Sequence, residues 1–474
     1  MNATRQYPLI WMLVLILSGC IPPPVDGMRG LQPYLEEPID TDLAWRERPP
    51  DEERFQRTEA LLSEPLSMDG AVEVALLNHP GLQANLQTID IVESTLREAT
   101  VLRNPELGAE SYVFEVGRQE PRLESFLSFE LSALLERRSR TRAATFGIES
   151  TRAQVAAEVL SFIDRVRRAW IRYVASIELL EQEQRLWESA QSDGQAAEVY
   201  VEQGLIQQEE LLRTRAFIAQ ARQDLLRAEN HRFQARQNLH DLLGIDVYET
   251  LWTVPTRLPE PPEEIPTTEY LEARALERNM VLHQFFLRRQ EQEALLTVAY
   301  LRRWVPRLSL GISLDFDRDG VQVGPAAAIG LPIFNRFRHT RDALQAEEIQ
   351  IGFAQLQETR RVHFETRRIE EDLHSSHRAA RQYPDEILPL HEEIVEETRR
   401  QYQEERVGIF RLLEARRNQL RAERDYVRAR KDFWLAGASF EYLISGGPTV
   451  DADPGVDVRH IEPFRIEGVR QRLR

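Results

Sequence analysis

The sequence predicts a mainly α-helical chain that contributes strands to a transmembrane β-barrel and is built from two internal repeats. Three observations lead there. Some helical segments are too long for a compact globule, two strand pairs carry one apolar face each, and the second half echoes the first at an offset of about 200 residues.

The chain begins with an address. Residues 9–17 are uninterrupted apolar side chains behind a polar start carrying Arg5. This is the order of a secretory signal, and it is too short for the roughly 20 residues of a membrane span. Leu17, Ser18, Gly19 and Cys20 follow, and Cys20 is the only cysteine among 474 residues. The four resemble the lipobox of bacterial lipoproteins. That resemblance implies that residues 1–19 are removed and that Cys20 opens the mature chain, carrying diacylglycerol on its sulfur and an N-acyl lipid. The alternative is an ordinary signal peptide with a chance cysteine. Acyl chains contribute about 0.8 kcal/mol per buried methylene, so two or three hold a protein firmly. Ile21 stands where an inner-membrane retention signal would place Asp, which favours the outer membrane. Residues 20–65 are expected to be a lipid-anchored extended segment.

With no second cysteine, packing and assembly must hold the exported chain together without an intramolecular disulfide. A net charge of −17, from 60 basic and 77 acidic residues, argues against a nucleic-acid partner. Only Lys431 among the basic residues is lysine, a bias that codon usage explains without function. Beyond the signal no run of 18 apolar residues occurs, so passage through a membrane must use strands.

The repeat divides the chain into 66–265 and 266–446, with a breaker-rich tail at 447–474 expected to lie outside the barrel. "ALLNHPGLQANL" from Ala75 aligns with "ALERNMVLHQFF" from Ala275, and "YVEQGLIQQEELL" from Tyr200 with "YQEERVGIFRLLE" from Tyr402, an offset of 202. Each half reads as a short helix, two strands and long helices.

The strands alternate. "RLSLGISLDF" sets Leu308, Leu310, Ile312, Leu314 and Phe316 on one face and polar or small residues on the other. "VQVGPAAAIGLPIF" returns with Val321, Val323, Ala327, Ile329 and Leu331 on its apolar side. In the first half, "LESFLSFELSALL" places Leu123, Ser125, Leu127, Phe129 and Leu131 together. Strands of about ten residues with an apolar side suit a lipid-facing barrel, in which closure satisfies every backbone group. Four strands cannot close one, whereas three copies give twelve. A soluble sheet packed on one face remains the alternative.

Residues 136–192 contain no proline and one glycine, and Val155, Val159, Phe162, Val166, Ala169, Tyr173, Ile177 and Leu180 fall in steps of three and four. Such a helix is about 85 Å long. In the last helix Leu413, Leu420, Val427 and Trp434 form one heptad row, and Ala415, Ala422, Ala429 and Ala436 another. Two seams need a neighbour on each side, as in a wall of helices or a bundle.

These features together resemble the TolC-like outer membrane efflux proteins over residues 66–446. The likeness is carried by "MDGAVEVALLNHPGLQA", "LRNPEL", "RWVPRLSL", "LPIFNR", "EILPLHEEIVEETRRQY" and the two Tyr-led turn segments. The resemblance implies a homotrimer with a 12-stranded outer-membrane barrel, continued by a long α-helical periplasmic barrel. It implies a periplasmic adaptor (membrane fusion) protein and an inner-membrane pump as partners, no enzymatic step and no cofactor besides the lipid on Cys20. An equatorial break is implied at Pro384 and Pro389. "FELSALLERRSRTRAA" resembles the heavy-metal branch of the family.

By position, the resemblance assigns Gly204, Leu205 and Ile206, with Arg406, Val407 and Gly408, to adaptor-contacting tips. Arg411 and Glu414 fall at the gate. Glu405 stands where the family has glycine, and Arg411 replaces an acidic residue, which weakens an anionic constriction; Arg411 can pair with Glu414 at i+3. Solvated helix termini are the plain alternative for these residues. Asp372, His374 and His377 could approach one metal ion, although a charged helix surface explains them as well. A type I secretion conduit and a membrane-tethered helical scaffold without a pore are the rival functions.

Overall fold

The computed structural model of the chain describes residues 51–98, 100–112, 122–245, 251–265, 270–317 and 320–449, with Leu31 and Leu35. Helices α1 (Asp51–Leu62), α2 (Met68–Asn78) and α3 (Pro80–Glu98) lead into β1 (Glu106–Tyr112) and β2 (Arg122–Glu130), then α4 (Ser132–Glu202) and α5 (Gln208–Leu243). The second half runs α6 (Leu271–Arg278), α7 (Met280–Trp304), β3 (Leu308–Asp317), β4 (Gly320–Ile329), α8 (Arg338–Gln382), a π-helical turn (Tyr383–Ile387), α9 (Leu388–Gln403) and α10 (Ile409–Ile444). Cys20 lies outside the described residues, as does the tail beyond Thr449.

Helix α4 has 71 residues, about 105 Å at 1.5 Å each. Its expected stripe is buried from Val155 through Val159, Phe162, Val166 and Ala169 to Tyr173, while Ile177 and Leu180 are half-buried. α4 packs on α5 and α7 and on α10; α10 in turn packs on α8 and α9. The order α5, α4, α10, α8–α9 is a helical wall, and α10 has the two neighbours that its heptad rows require. Ala415, Ala422 and Val427 are its most buried heptad positions, since small side chains let backbones approach closely.

The four strands form one antiparallel sheet in the order β1-β2-β3-β4. Leu127 faces Ile312, Leu123 faces Phe316, and Leu310 faces Ala327. One face therefore gathers the apolar set predicted from the alternation. Leu107, Leu127, Ile312 and Val323 on it are 77%, 48%, 50% and 68% exposed, so none of the described residues covers that face. The opposite face carries Glu124, Ser128, Ser313, Asp315 and Gln322.

At the foot of each half the same backbone device recurs. Gly244 ends α5 in a left-handed conformation (φ 64°), and a Cβ there would lie 2.6 Å from the His79 backbone. Gly446 (φ 90°) meets the Arg278 carbonyl in the same way. Both positions demand glycine for φ and for contact. The helices beginning beside them are capped alike, with His79 Nδ1 accepting from the Leu82 N–H (3.1 Å) and Asn279 Oδ1 from the Leu282 N–H (2.9 Å).

Two expectations are corrected. Residues 51–62 of the segment expected to be extended form α1, with Thr58 and Leu62 buried. Pro384 and Pro389 do not break the long helix of the second half. Instead it passes through the π turn, where the Leu388 N–H bonds the Tyr383 carbonyl five residues back, a wider turn that accommodates proline rings and their missing donors. The first residues of the tail lie against the wall: the Gly447 N–H bonds the Tyr442 carbonyl (2.9 Å), and buried Thr449 donates to Glu358 (3.2 Å).

A strap that no periodicity announced crosses the wall. Residues 251–265 bury Trp252, Val254 and Leu258. Arg430 donates to the Leu258 carbonyl (3.1 Å) and Glu260 (2.9 Å), and Trp434 Nε1 donates to the Pro259 carbonyl (2.9 Å). His377 Nε2 lies 2.7 Å from the Pro262 carbonyl, which occupies one member of the histidine pair noted above.

Candidate functional site

The far end of the wall from the sheet carries two turns, α4 to α5 and α9 to α10. In the first, the Leu205 N–H bonds the Tyr200 carbonyl (2.8 Å) and the Gly204 N–H the Val201 carbonyl (2.9 Å). In the second, the Arg406 N–H bonds the Gln401 carbonyl (2.9 Å) and the Glu405 N–H the Tyr402 carbonyl (3.0 Å). Both are Schellman closures, which satisfy the last carbonyls of a helix by turning one residue left-handed. Gly204 has φ 70° and Glu405 φ 58°. The two closures are 201 residues apart, one fewer than the offset read from Tyr200 and Tyr402. Gly408 occupies the N-cap of α10, the role Gln207 has for α5, with φ −78° and −80°.

Glu405 pays for its Cβ in the left-handed region, where only glycine is at ease. Replacing it, Glu405→Gly, is expected to raise stability by about 1 kcal/mol, seen as a higher thermal midpoint. Gly204→Ala should lower it by a similar amount, because nothing lies within 4 Å of a Cβ there and the backbone alone is strained. Equal midpoints in both variants would remove strain from the account of these turns.

The two turns face each other. The Tyr200 and Tyr402 hydroxyls are 3.5 Å apart, a contact that raises the Tyr200 pKa above its ordinary value, and the Tyr200 ring meets Phe410 edge-on at 6.4 Å. Leu205 is 64% exposed. Ile206 and Val407 are half-buried, while Gly204, Arg406 and Gly408 are exposed, with Arg406 Nε 3.0 Å from Glu404 Oε2. Arg411 Nη1 lies 3.7 Å from Glu414 Oε2, both side chains largely exposed. The tip and gate positions singled out in sequence are thus brought to one end of the molecule.

Two turns further along, sequence inspection missed a charged layer. Asp193 of α4 is buried, its carboxyl pushed up by burial and held down in part by Arg417, 3.8 Å away, and by Arg416. The Arg417 and Arg421 guanidinium groups lie over the Phe217 ring at 4.8 and 5.6 Å, tying α10 toward α5 across α4.

A long antiparallel wall bearing a one-sided sheet at one end and twin turns at the other is the setting in which the family comparison becomes informative. Residues 71–245 match the family model described as outer membrane efflux protein. The matched segment spans nearly all of α2, the first hairpin, the first turn and all of α5. The fold extends over most of the chain. It is similar to the outer-membrane channel OprN (TM-score 0.69, 15% identity, covering 87% of this chain and 96% of that one). The Campylobacter jejuni CmeC outer membrane channel gives 0.62 at 15% identity over 83% and 88% of the two chains. The Neisseria gonorrhoeae MtrE outer membrane channel in its open state gives 0.61 at 19% over 80% and 89%. These identities speak for the fold. A comparison of the sequence with curated proteins returns no match.

Proposed function

We propose that the chain is the outer membrane channel of a tripartite efflux system, a passive duct from periplasm to exterior that makes and breaks no covalent bond. The observation that carries this reading is the sheet. Among the described residues its apolar face is uncovered, and its two outer strands, β1 and β4, are edges without a partner. An exposed apolar face with open edges is an aggregation hazard in water, and barrel closure in lipid resolves both problems. Three chains pairing β4 with the next β1 give twelve strands.

The helical wall supports the same trimer. Its outermost members carry unpartnered apolar side chains: Leu212, Leu226 and Phe233 on α5, and Ile349, Phe353 and Phe364 on α8, all 43–74% exposed. Adjacent subunits would join these edges into a periplasmic cylinder. Lipid on Cys20 would anchor the assembly to the outer membrane. The twin turns would meet a periplasmic adaptor linked to an inner-membrane pump, with Arg411 and Glu414 at the entrance.

Single-channel recording in planar bilayers tests the reading. The trimer should conduct, and Arg411→Ser should increase the cation-to-anion permeability ratio roughly threefold, the size expected of three screened charges acting through water. A stable trimer that remains silent even after Arg411 and Glu414 are both replaced by serine would instead mark a scaffold.

A further inference from the structure

All four connections between sheet and helices lie at one end of the sheet, because β1 and β3 begin there and β2 and β4 end there. Contacts hold that end together. The Leu131 N–H bonds the Leu308 carbonyl (2.7 Å), the Gly330 N–H bonds the Arg307 carbonyl (2.8 Å), and Arg302 grips Glu136 through two bonds of 2.7 and 2.8 Å.

Basic side chains concentrate at this junction although the chain as a whole carries −17. Some are neutralised: Arg302 by Glu136, Arg103 by Glu130 at 3.1 Å and Arg307 by Glu106 at 3.1 Å. Arg138, Arg303 and Arg336 have no ion pair with a carboxylate among the described residues, and Arg338 reaches Asp342 only at 4.0 Å. Arg138, Arg303, Arg336 and Arg338 are exposed. Neither helix leaving the sheet here, α4 or α8, has an acidic residue in its first turn to balance them.

Apolar side chains stand among these charges. Trp304 is 75% exposed with the Arg303 guanidinium over its ring at 5.5 Å, and Phe334 is fully exposed. They continue the uncovered strand face, whose last members on β4 and just beyond, Ile329 and Leu331, are 61% and 69% exposed. Uncompensated guanidinium groups bordering an apolar band, with an aromatic side chain at the boundary, match the depth profile of a phospholipid leaflet. Guanidinium also suits phosphate, offering paired donors in one plane.

We propose that this collar binds the phosphate headgroups of anionic phospholipid, with Arg138, Arg303, Arg336 and Arg338 as the ligands and Trp304 and Phe334 seated at the acyl boundary. The proposal rests on the reading of the sheet as membrane-inserted. It adds a specific lipid class and a fixed depth: the bilayer stops where α4 and α8 begin. The abundance of arginine over lysine carries no weight here, since it holds throughout the chain; what counts is that Arg138, Arg303 and Arg336 lack a carboxylate partner among the described residues.

The test uses the full-length trimer in detergent, titrated with fluorescent phosphatidylglycerol or phosphatidylcholine. An arginine near an anionic surface contributes about fivefold, so after screening the four together should favour phosphatidylglycerol at least tenfold. Arg138→Gln, Arg303→Gln, Arg336→Gln and Arg338→Gln combined should bring that preference below about twofold. The corresponding lysine variant should keep most of it, and 1 M salt should abolish it in the unmodified protein, an arm that decides the matter even if the glutamine variant does not fold. Equal affinity for both lipids, or a preference that survives salt or the glutamine substitutions, overturns the proposal. Recording in pure phosphatidylcholine bilayers separates the two levels. A trimer that conducts there without preferring phosphatidylglycerol refutes only the collar, whereas a trimer that conducts in neither lipid refutes the channel on which it depends.

Discussion

Arginine at Leu127 and Ile312 is expected to abolish membrane insertion. The two residues face each other across β2 and β3 near the middle of the sheet, and both point to its uncovered apolar side. A guanidinium at the bilayer midplane costs about 2–4 kcal/mol on a barrel strand. The pair in three subunits would therefore cost on the order of 10–25 kcal/mol, more than the stability of most domains. The double variant should float free of membranes in a sucrose gradient and give no conductance. Ser313→Arg supplies the contrast. Ser313 neighbours Ile312 on the same strand but lies on the polar face, where it pairs with Phe126 and Gly324. That variant should insert normally and alter only ion selectivity. Insertion of Leu127→Arg/Ile312→Arg at the unmodified level would show that the face does not meet lipid.

The second large effect concerns Arg430. Its side chain is 3% exposed, and it bonds Glu178 of α4, itself 5% exposed, while also holding the strap through Leu258 and Glu260. Its guanidinium lies 4.7 Å from the centre of the Tyr426 ring, and the Tyr426 hydroxyl donates to Glu260. Arg430→Ala would strand the Glu178 carboxylate in a buried site, at a cost of about 3–5 kcal/mol. Arg430→Met with Glu178→Gln should recover most of that loss, because it removes both charges and keeps the volume. Thermal unfolding reads the difference, and cleavage of the strap by a protease should accelerate in the single variant. A loss below about 1 kcal/mol in Arg430→Ala would mean that the clasp is not under tension from burial.

What the sequence disclosed follows from periodicity. The stripe from Val155 to Tyr173 and the faces of β2, β3 and β4 were legible because a helix and a strand each repeat at a fixed interval, and burial or lipid contact selects one side. The twin turns were legible because the two Tyr-led segments align with each other and resemble the family's tips, although Glu405 stands where glycine is usual. Other features have no period. The strap at 251–265 is an irregular proline-rich stretch held by carbonyls, and carbonyls are the same in every residue. Arg430 could not be told from the other arginines, since burial of one guanidinium is decided by Glu178, 252 positions away in the chain. Among the described side chains of helix α1, Thr58 and Leu62 alone are firmly buried, too little to print an amphipathic pattern. Arg411 and Glu414 were recognisable as charges near a turn, but whether they face a lumen depends on neighbouring subunits and so on assembly.

The π turn at Tyr383–Ile387 makes the two long struts of the subunit mechanically unlike. One strut, α4, is an unbroken column of 71 residues; the other, α8 to α9, has a loosened coil after the 45 residues of α8 and before the 16 of α9, with proline inside it and just beyond it. Helices bend where their internal bonds are wider or missing. Flexure under load therefore concentrates at one joint per chain, and in the trimer proposed above a threefold ring would inherit three equivalent knees at a single level, leaving its rigid columns to keep the bore upright.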